Sequence, residues 1–88
     1  MNIGPYTLVL NEHGDEWRYC PPGPRAEAER RVVLDVKRGE RTHAWVAEAK
    51  LYHADGGYSY ESQPGATAEE AARKLLVVLM DRRWEEFA

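Results

Sequence analysis

The chain has 88 residues, a formal charge of −3 and charged side chains at 31% of its positions. This length suits one domain, and an apolar content of 43% is enough to build a core. The longest apolar run, at 75–80, is far shorter than the roughly 20 residues that a membrane span needs. The acidic balance disfavours nucleic acid and membrane surfaces as partners, and no secretion signal is recognisable, so we expect a cytoplasmic protein.

The strongest break in the sequence is a proline-rich stretch, PPGP at 21–24. Proline lacks the N–H that strand pairing requires, so this stretch predicts a stiff, extended connector over 21–26. The other parts of the single domain are an N-terminal hairpin over 1–20, a three-stranded meander over 27–63 and a helix over 67–86. The predicted fold class is therefore α+β, with an antiparallel sheet of about five strands packed on one C-terminal helix.

Turn-forming residues divide the N-terminal hairpin into two short strands. A two-residue loop at 13–14 places Leu10 opposite Trp17, and Leu8 opposite Tyr19. All four side chains then share one face, which is the arrangement that a half-buried hairpin requires.

The glycine at the start of 39–40 predicts a type II′ turn inside the meander, and such a turn determines the register of its two strands. The resulting pairs are Leu34 with Trp45, Val32 with Ala47, Ala28 with Leu51, Arg31 with Glu48, and Glu29 with Lys50. The first three pairs lie on one face and are apolar, whereas the last two bring opposite charges together on the other face.

The Asp-Gly pair at 55–56 predicts the next turn, of type I′. It places Leu51 opposite Tyr60 on the buried face and Lys50 opposite Glu61 on the other face. The two turns therefore agree on which face of the sheet is buried.

The helix begins with a recognisable cap. Thr67 is the predicted N-cap, and Glu70 completes a capping box. No glycine or proline interrupts the pattern as far as about Glu86. The small side chains of Ala47 and Ala49 on the buried sheet face are expected to let the helix approach closely.

This helix carries more apolar surface than one sheet needs, because apolar side chains occupy over half of its circumference around 77–80. Either the N-terminal hairpin covers the second flank, or another chain does. In the second case the flank is a docking surface of apolar anchors edged by arginine. Its predicted residues are Val77, Met80, Trp84, Phe87, Arg73 and Arg83.

Residues that carry catalysis or bind metals are present without a recognisable arrangement. The three histidines, His13, His43 and His53, lack the spacing of metal ligands, and Cys20 has no base that the pattern places beside it. The carboxylates that can be placed serve predicted ion pairs or the helix start. We therefore expect no metal site, no cofactor and no enzymatic activity.

The segment GATAEEA at 65–71 is similar to the helix start of HicB-like antitoxin domains. The order of three strands and a helix also resembles the end of a double-stranded-RNA-binding domain. These resemblances imply a nucleic-acid-binding or HicB-like regulatory protein as the alternative function. Arg73, Lys74, Arg82 and Arg83 form the basic stripe that would make the contact, although acidic side chains occupy 69–70, where RNA-binding domains carry lysines.

The leading expectation is a small non-catalytic binding module that docks on a protein partner or on a second copy of itself. It rests on the short acidic chain, the apolar excess of the helix and the missing catalytic arrangement. Small acidic proteins of mobile elements inhibit or regulate host factors in this way, which is an analogy of class. The outer sheet face, with Tyr52, Val46 and Val33 among charged residues, is the second candidate surface.

Overall fold

The computed structural model describes residues 1–19, 31–39, 41, 43–53 and 55–84. These residues form an α+β fold whose elements are β1 (Asn2–Ile3), β2 (Tyr6–Thr7), β3 (Val9–Leu10), β4 (Glu16–Tyr19), β5 (Arg31–Arg38), β6 (Trp45–Tyr52), β7 (Tyr58–Gly65) and α1 (Ala68–Asp81). Strands β3 to β7 make one antiparallel sheet in sequence order, and β1 pairs with β2 in a separate hairpin. The predicted fold class is confirmed.

Several sequence predictions lie outside the described residues. They are the connector over 21–26, Cys20, the strand positions Ala28 and Glu29, and Phe87.

Helix α1 and the β1–β2 hairpin pack on the same side of the sheet, which we call the covered face. The sheet contributes alternate residues of its central strands to the core: Val32, Leu34 and Val36 from β5, and Ala47, Ala49 and Leu51 from β6. The helix contributes Ala71, Ala72, Leu75 and Leu79, and the N-terminal segment contributes Ile3, Tyr6 and Leu8. The side chains on the opposite side of the sheet form what we call the open face.

The N-cap of the helix follows the sequence prediction, whereas the predicted capping box is altered, because Glu70 bonds to Ala66 rather than to the Thr67 N–H. The Thr67 hydroxyl accepts a hydrogen bond from the Glu70 N–H at 3.1 Å, so Thr67 is the N-cap. The Glu70 carboxylate accepts from the Ala66 N–H at 3.4 Å. Just before this cap, Gly65 lies so close to the helix that an added Cβ would collide with the backbone of Ala71. The first helical turn therefore rests directly on the end of β7.

The predicted pairing of β5 with β6 is wrong in register but right in face. Leu34 lies opposite Ala49 rather than Trp45, a shift of four positions. The Gly39 N–H donates to the Ala44 carbonyl at 2.7 Å, so the connection between the strands is longer than the predicted two residues. An even shift keeps every side chain on its face, and the apolar alternation of both strands is preserved.

The β5 partners expected for Glu48 and Lys50 are consequently replaced by others. Glu48 lies opposite Asp35, and Lys50 lies opposite Val33. The carboxylate of Asp35 instead faces Arg18 on β4, 3.5 Å from its Nε. The predicted register considered only charge pairs between β5 and β6. In the structure β4, on the other side of β5, supplies the partner of Asp35.

The predicted pairing of β6 with β7 is wrong in face as well as in register. Leu51 lies opposite Ser59 and Lys50 opposite Tyr60, a shift of one position from the prediction. The His53 N–H donates to the Gly57 carbonyl at 2.8 Å, so the strands join one residue farther apart along the chain than predicted. An odd shift moves a whole strand to the opposite face, and Tyr60 therefore points to the open side.

The N-terminal hairpin keeps its predicted register over a shorter length. Leu10 lies opposite Trp17 as expected, but the ladder of β3 and β4 has only one further pair, Val9 with Arg18. The loop is longer than predicted, because the Asn11 N–H donates to the Glu16 carbonyl. Leu8 leaves the ladder and is buried in the core instead of facing Tyr19 across it.

Candidate functional site

The helix surface predicted for docking is only partly exposed. Val77 and Met80 are 69% and 56% exposed, and Arg73 and Arg83 are exposed as well. Trp84, however, is only 6% exposed and belongs to the protein's own core. The prediction that the Trp84 indole is available to a partner is therefore wrong.

Trp84 is buried because the helix ends earlier than the predicted Glu86. Its last residue is Asp81, and Arg83 adopts a left-handed conformation with φ of 59°. The Arg83 N–H donates to the Met80 carbonyl at 3.1 Å, which closes the final turn. This reversal directs the next residue, Trp84, into the core rather than along the helix axis.

The second flank of the helix is covered by the β1–β2 hairpin. Gly4 occupies the turn of this hairpin with φ of 56°, and the space at its Cα is limited by the Leu76 side chain. Ile3 is buried beside it, and Leu76 is partly buried. The hairpin therefore covers the Leu76 side of this flank, whereas Val77 and Met80 on the same helix remain exposed.

The basic stripe of the alternative function is largely compensated by carboxylates. Three of its four side chains form ion pairs: Arg73 with Glu69 at 3.7 Å, Lys74 with Glu70 at 3.4 Å, and Arg82 with Glu61 at 2.8 Å. Arg82 thereby fastens the end of the helix to β7. Because each of these cations has an anion beside it, the helix presents little net positive charge to a phosphate backbone.

The open face of the sheet carries three tyrosines that lie close together, Tyr52, Tyr58 and Tyr60, which we call the tyrosine cluster. Tyr52 and Tyr58 are directly paired across β6 and β7, with ring centroids 5.9 Å apart. Tyr58 and Tyr60 are 55% and 47% exposed, and Tyr52 is partly buried. The ammonium of Lys50 lies 5.1 Å from the centre of the Tyr58 ring.

Sequence reasoning selected Tyr52 for this surface but missed Tyr58 and Tyr60, because the predicted β7 register turned Tyr60 inward. The signal was the Asp55-Gly56-Gly57 segment, in which Gly56 also suits the left-handed position of a longer loop. Gly56 has φ of 95°, and the Gly57 N–H donates to the Asp55 carboxylate at 2.9 Å. A three-residue loop with glycine in the left-handed region is a common hairpin connection.

The charged side chains of the open face compensate one another at the β4–β5 side. Arg18 pairs with Asp35, and Lys37 lies 3.9 Å from Glu16. Val33 and Val46, the other residues predicted for this surface, are partly buried on the same face. Among the described residues, no helix or further strand packs against this face.

A groove of about 820 Å³ opens on the covered face, where the helix begins. Trp17 and Trp45 line it from the sheet, and Leu76 lines it from the helix. The residues that line its remaining walls come from the N-terminal segment 1–4 and the first turns of α1. This groove was not predicted from the sequence, because it is formed by three elements that are distant along the chain.

The described residues contain no cluster of histidine, cysteine and carboxylate groups that could hold a metal ion. His53 contacts Ser59 through Nε2 and Oγ, 2.8 Å apart. His13 is exposed in a turn, and His43 is exposed in a loop with φ of 55°. These side chains are therefore not brought together into one site.

Asp15, in the turn between β3 and β4, has a clearly shifted pKa. The Asn11 side-chain amide donates to the Asp15 carboxylate at 2.7 Å and holds the pKa of Asp15 below its ordinary value of 3.8. The Asp15 N–H also donates a hydrogen bond to the Asn11 side-chain oxygen. This carboxylate stabilises the β3–β4 turn and lies in an exposed position.

Comparison of the chain with protein-family models, with curated proteins and with solved structures finds no match. Within the part of the chain that the structure describes, no helix is long and apolar enough to cross a membrane.

Proposed function

We propose that this chain is a small non-catalytic binding module that docks on a protein partner through the tyrosine cluster of the open face. It would act by occupying its partner's surface, as an inhibitor or regulator does. The observation that carries the proposal is the exposure of Tyr58 and Tyr60 on a sheet face that no described element covers.

Tyrosine suits such a role because a large ring is buried on binding while its hydroxyl still finds a hydrogen-bond partner. Tyrosine and arginine are enriched among the residues that dominate binding energy. Both exposed rings stand on β7, whose pairing with β6 extends over the whole strand. A rigid platform of this kind loses little conformational freedom on binding.

The exposed helix residues Val77 and Met80, with Arg73 beside them, form a second and smaller candidate surface. Isolated exposed apolar side chains are ordinary on protein surfaces, so they support docking less strongly than the tyrosine cluster does. The burial of Trp84 removes the large anchor on which this surface depended. A partner that contacts the helix would therefore have Val77 and Met80 as its main apolar contacts there.

Nucleic-acid binding has weaker support than protein binding. The helix cations face carboxylates, and the open face also pairs its charges across β4 and β5. A surface that binds phosphate backbones needs uncompensated positive charge, and its affinity falls steeply with salt.

The experiment compares the full-length wild-type chain with two double variants as immobilised bait in a lysate treated with nuclease. Tyr58→Ala/Tyr60→Ala removes the tyrosine cluster, and Val77→Ala/Met80→Ala removes the helix surface. Tyr58→Phe/Tyr60→Phe keeps the rings and serves as the matched control. A retained protein is then purified, and its Kd for each variant is measured at salt concentrations between about 50 and 200 mM.

We expect the alanine variant of the tyrosine cluster to raise Kd at least about tenfold, with the phenylalanine variant raising it much less. Kd should change little with salt. Loss of binding only in the helix variant would transfer the site to Val77 and Met80. Retention of nucleic acid in place of a protein when the nuclease is omitted, with a steep salt dependence, would overturn the proposal.

A further inference from the structure

The groove on the covered face contains two partly buried indoles that the protein's own core leaves unfilled. Trp17 on β4 and Trp45 on β6 point to the same side of the sheet, with β5 between them. Both pack at the margin of the core rather than inside it. We call this space the indole groove.

Besides the sheet strands that carry the two indoles, the start of the helix and the N-terminal segment form walls of the indole groove. The first helical turn is fixed by the Thr67 cap and by its contact with Gly65. The N-terminal wall is held by the β1–β2 hairpin, in which the Leu8 N–H donates to the Met1 carbonyl at 2.8 Å. The groove is therefore formed by ordered elements of the fold and not by side chains alone.

The size of the indole groove fits a small molecule. Ligand sites in proteins have volumes of about 300–1,000 Å³ and are lined mainly by apolar and aromatic groups. The groove has about 820 Å³, and Trp17, Trp45, Leu76 and Ile3 are among its lining residues. Covering the partly exposed indoles would remove further apolar surface from water, which favours binding.

The charges at the rim indicate the charge of the ligand. Arg73 and Glu69 both line the groove and lie 3.7 Å from each other, and the ammonium of Met1, another lining residue, donates to the Leu8 carbonyl at 3.1 Å. An anionic ligand would be attracted by the Arg73 guanidinium but repelled by the Glu69 carboxylate. A cationic ligand would be attracted by the carboxylate and repelled by the guanidinium. A neutral ligand leaves the pair undisturbed.

We propose that the indole groove binds a neutral, flat aromatic small molecule that packs against Trp17 and Trp45. This site is separate from the tyrosine cluster, which lies on the other side of the sheet. The proposal therefore does not depend on the proposed function.

The test uses the full-length chain and two dyes that share one ring system, neutral N-phenylnaphthylamine and anionic anilinonaphthalene sulfonate. Titration is followed by dye emission and by quenching of tryptophan emission. We expect saturable binding of the neutral dye at one site per chain, with the sulfonate binding at least about tenfold more weakly.

Two kinds of variant locate the site. Trp17→Ala and Trp45→Ala remove one indole each and should weaken binding of the neutral dye at least about tenfold. Because these variants lose core contacts, Ala68→Leu is the second test: Ala68 lines the groove, so the larger side chain fills it and leaves both indoles in place. Ser62→Ala, on the open face, is the matched control and should bind as the wild type does.

Equal or tighter binding of the sulfonate would overturn the neutral class of ligand. Unsaturable dye uptake, or uptake unchanged by Ala68→Leu, would show that the groove is not the site. A shift of tryptophan emission on simple dilution, with sedimentation showing dissociation of a dimer, would mean that a second copy fills the groove and would likewise overturn the proposal.

Discussion

The covered face and the open face of the sheet carry different kinds of residue, although the same strands supply both. On β6 the covered side is formed by Ala47, Ala49 and Leu51, which are buried, whereas the open side carries Lys50 and Tyr52. The covered side places small residues where a helix must approach closely. The open side places large amphipathic residues where no described element follows.

This difference separates the residues that stabilise the fold from those that are available for binding. On the covered face, removal of a side chain leaves a cavity inside a packed core, and addition of a methyl group causes a clash. On the open face, water already reaches the neighbouring side chains, so removal of one side chain costs little stability. Substitutions on the covered face should therefore change the free energy of unfolding strongly. Substitutions on the open face should change binding, with little change in stability.

The largest expected effect is the difference in the free energy of unfolding between alanine substitutions of two aromatic residues, Trp84 on the covered side and Tyr60 on the open face. Trp84→Ala should lower the free energy of unfolding by about 3–5 kcal/mol, because it removes a buried indole from the core. Tyr60→Ala, at a position that is 47% exposed, should lower it by about 1 kcal/mol or less. Urea unfolding followed by circular dichroism measures both.

A loss of that size can unfold a domain of 88 residues, so Trp84→Phe is the companion variant and should retain more of the stability. Equal losses in Trp84→Ala and Tyr60→Ala would contradict the assignment of Trp84 to the core. They would restore the expectation that its indole faces a partner.

The next effect concerns the contact between β7 and the helix. Gly65→Ala should destabilise the fold by about 1–3 kcal/mol, because the added methyl group meets the backbone of Ala71 and the helix must move. Ser62→Ala, on the same strand but facing outward, should change stability by about 0.5 kcal/mol or less. Thermal and urea unfolding of the two variants provide the comparison, and equal stabilities would show that the helix does not rest on β7.

The features predicted correctly from the sequence are those with local causes. The N-cap at Thr67 depends on residues one turn away, and the pairing of Leu10 with Trp17 depends on one short loop. Strand faces on β5 and β6 follow from apolar alternation, which survives an even shift. These signals were sufficient for the fold class.

The features predicted wrongly depend on loop length or on distant contacts. A shift of one residue in the register of β7 moved Tyr60 from the predicted covered face to the open face. The β1–β2 hairpin was not recognised, although a glycine with positive φ, here Gly4, is typical of such turns. The burial of Trp84 depends on a left-handed residue, Arg83, at a position with no glycine to indicate the end of the helix. The candidate surface moved from the helix to the sheet for these reasons.

The smallest expected effect comes from the ion pair of Arg18 and Asp35 on the open face. Arg18→Ala should lower the free energy of unfolding by about 0.2–1 kcal/mol, since the arginine is largely exposed and its contact with the Asp35 carboxylate is not a hydrogen bond. A double-mutant cycle with Asp35→Asn isolates the coupling, which should shrink between low salt and about 1 M NaCl. A coupling of several kcal/mol that resists salt would mean that this part of the sheet is buried in solution, and the open face would then have a second layer covering it.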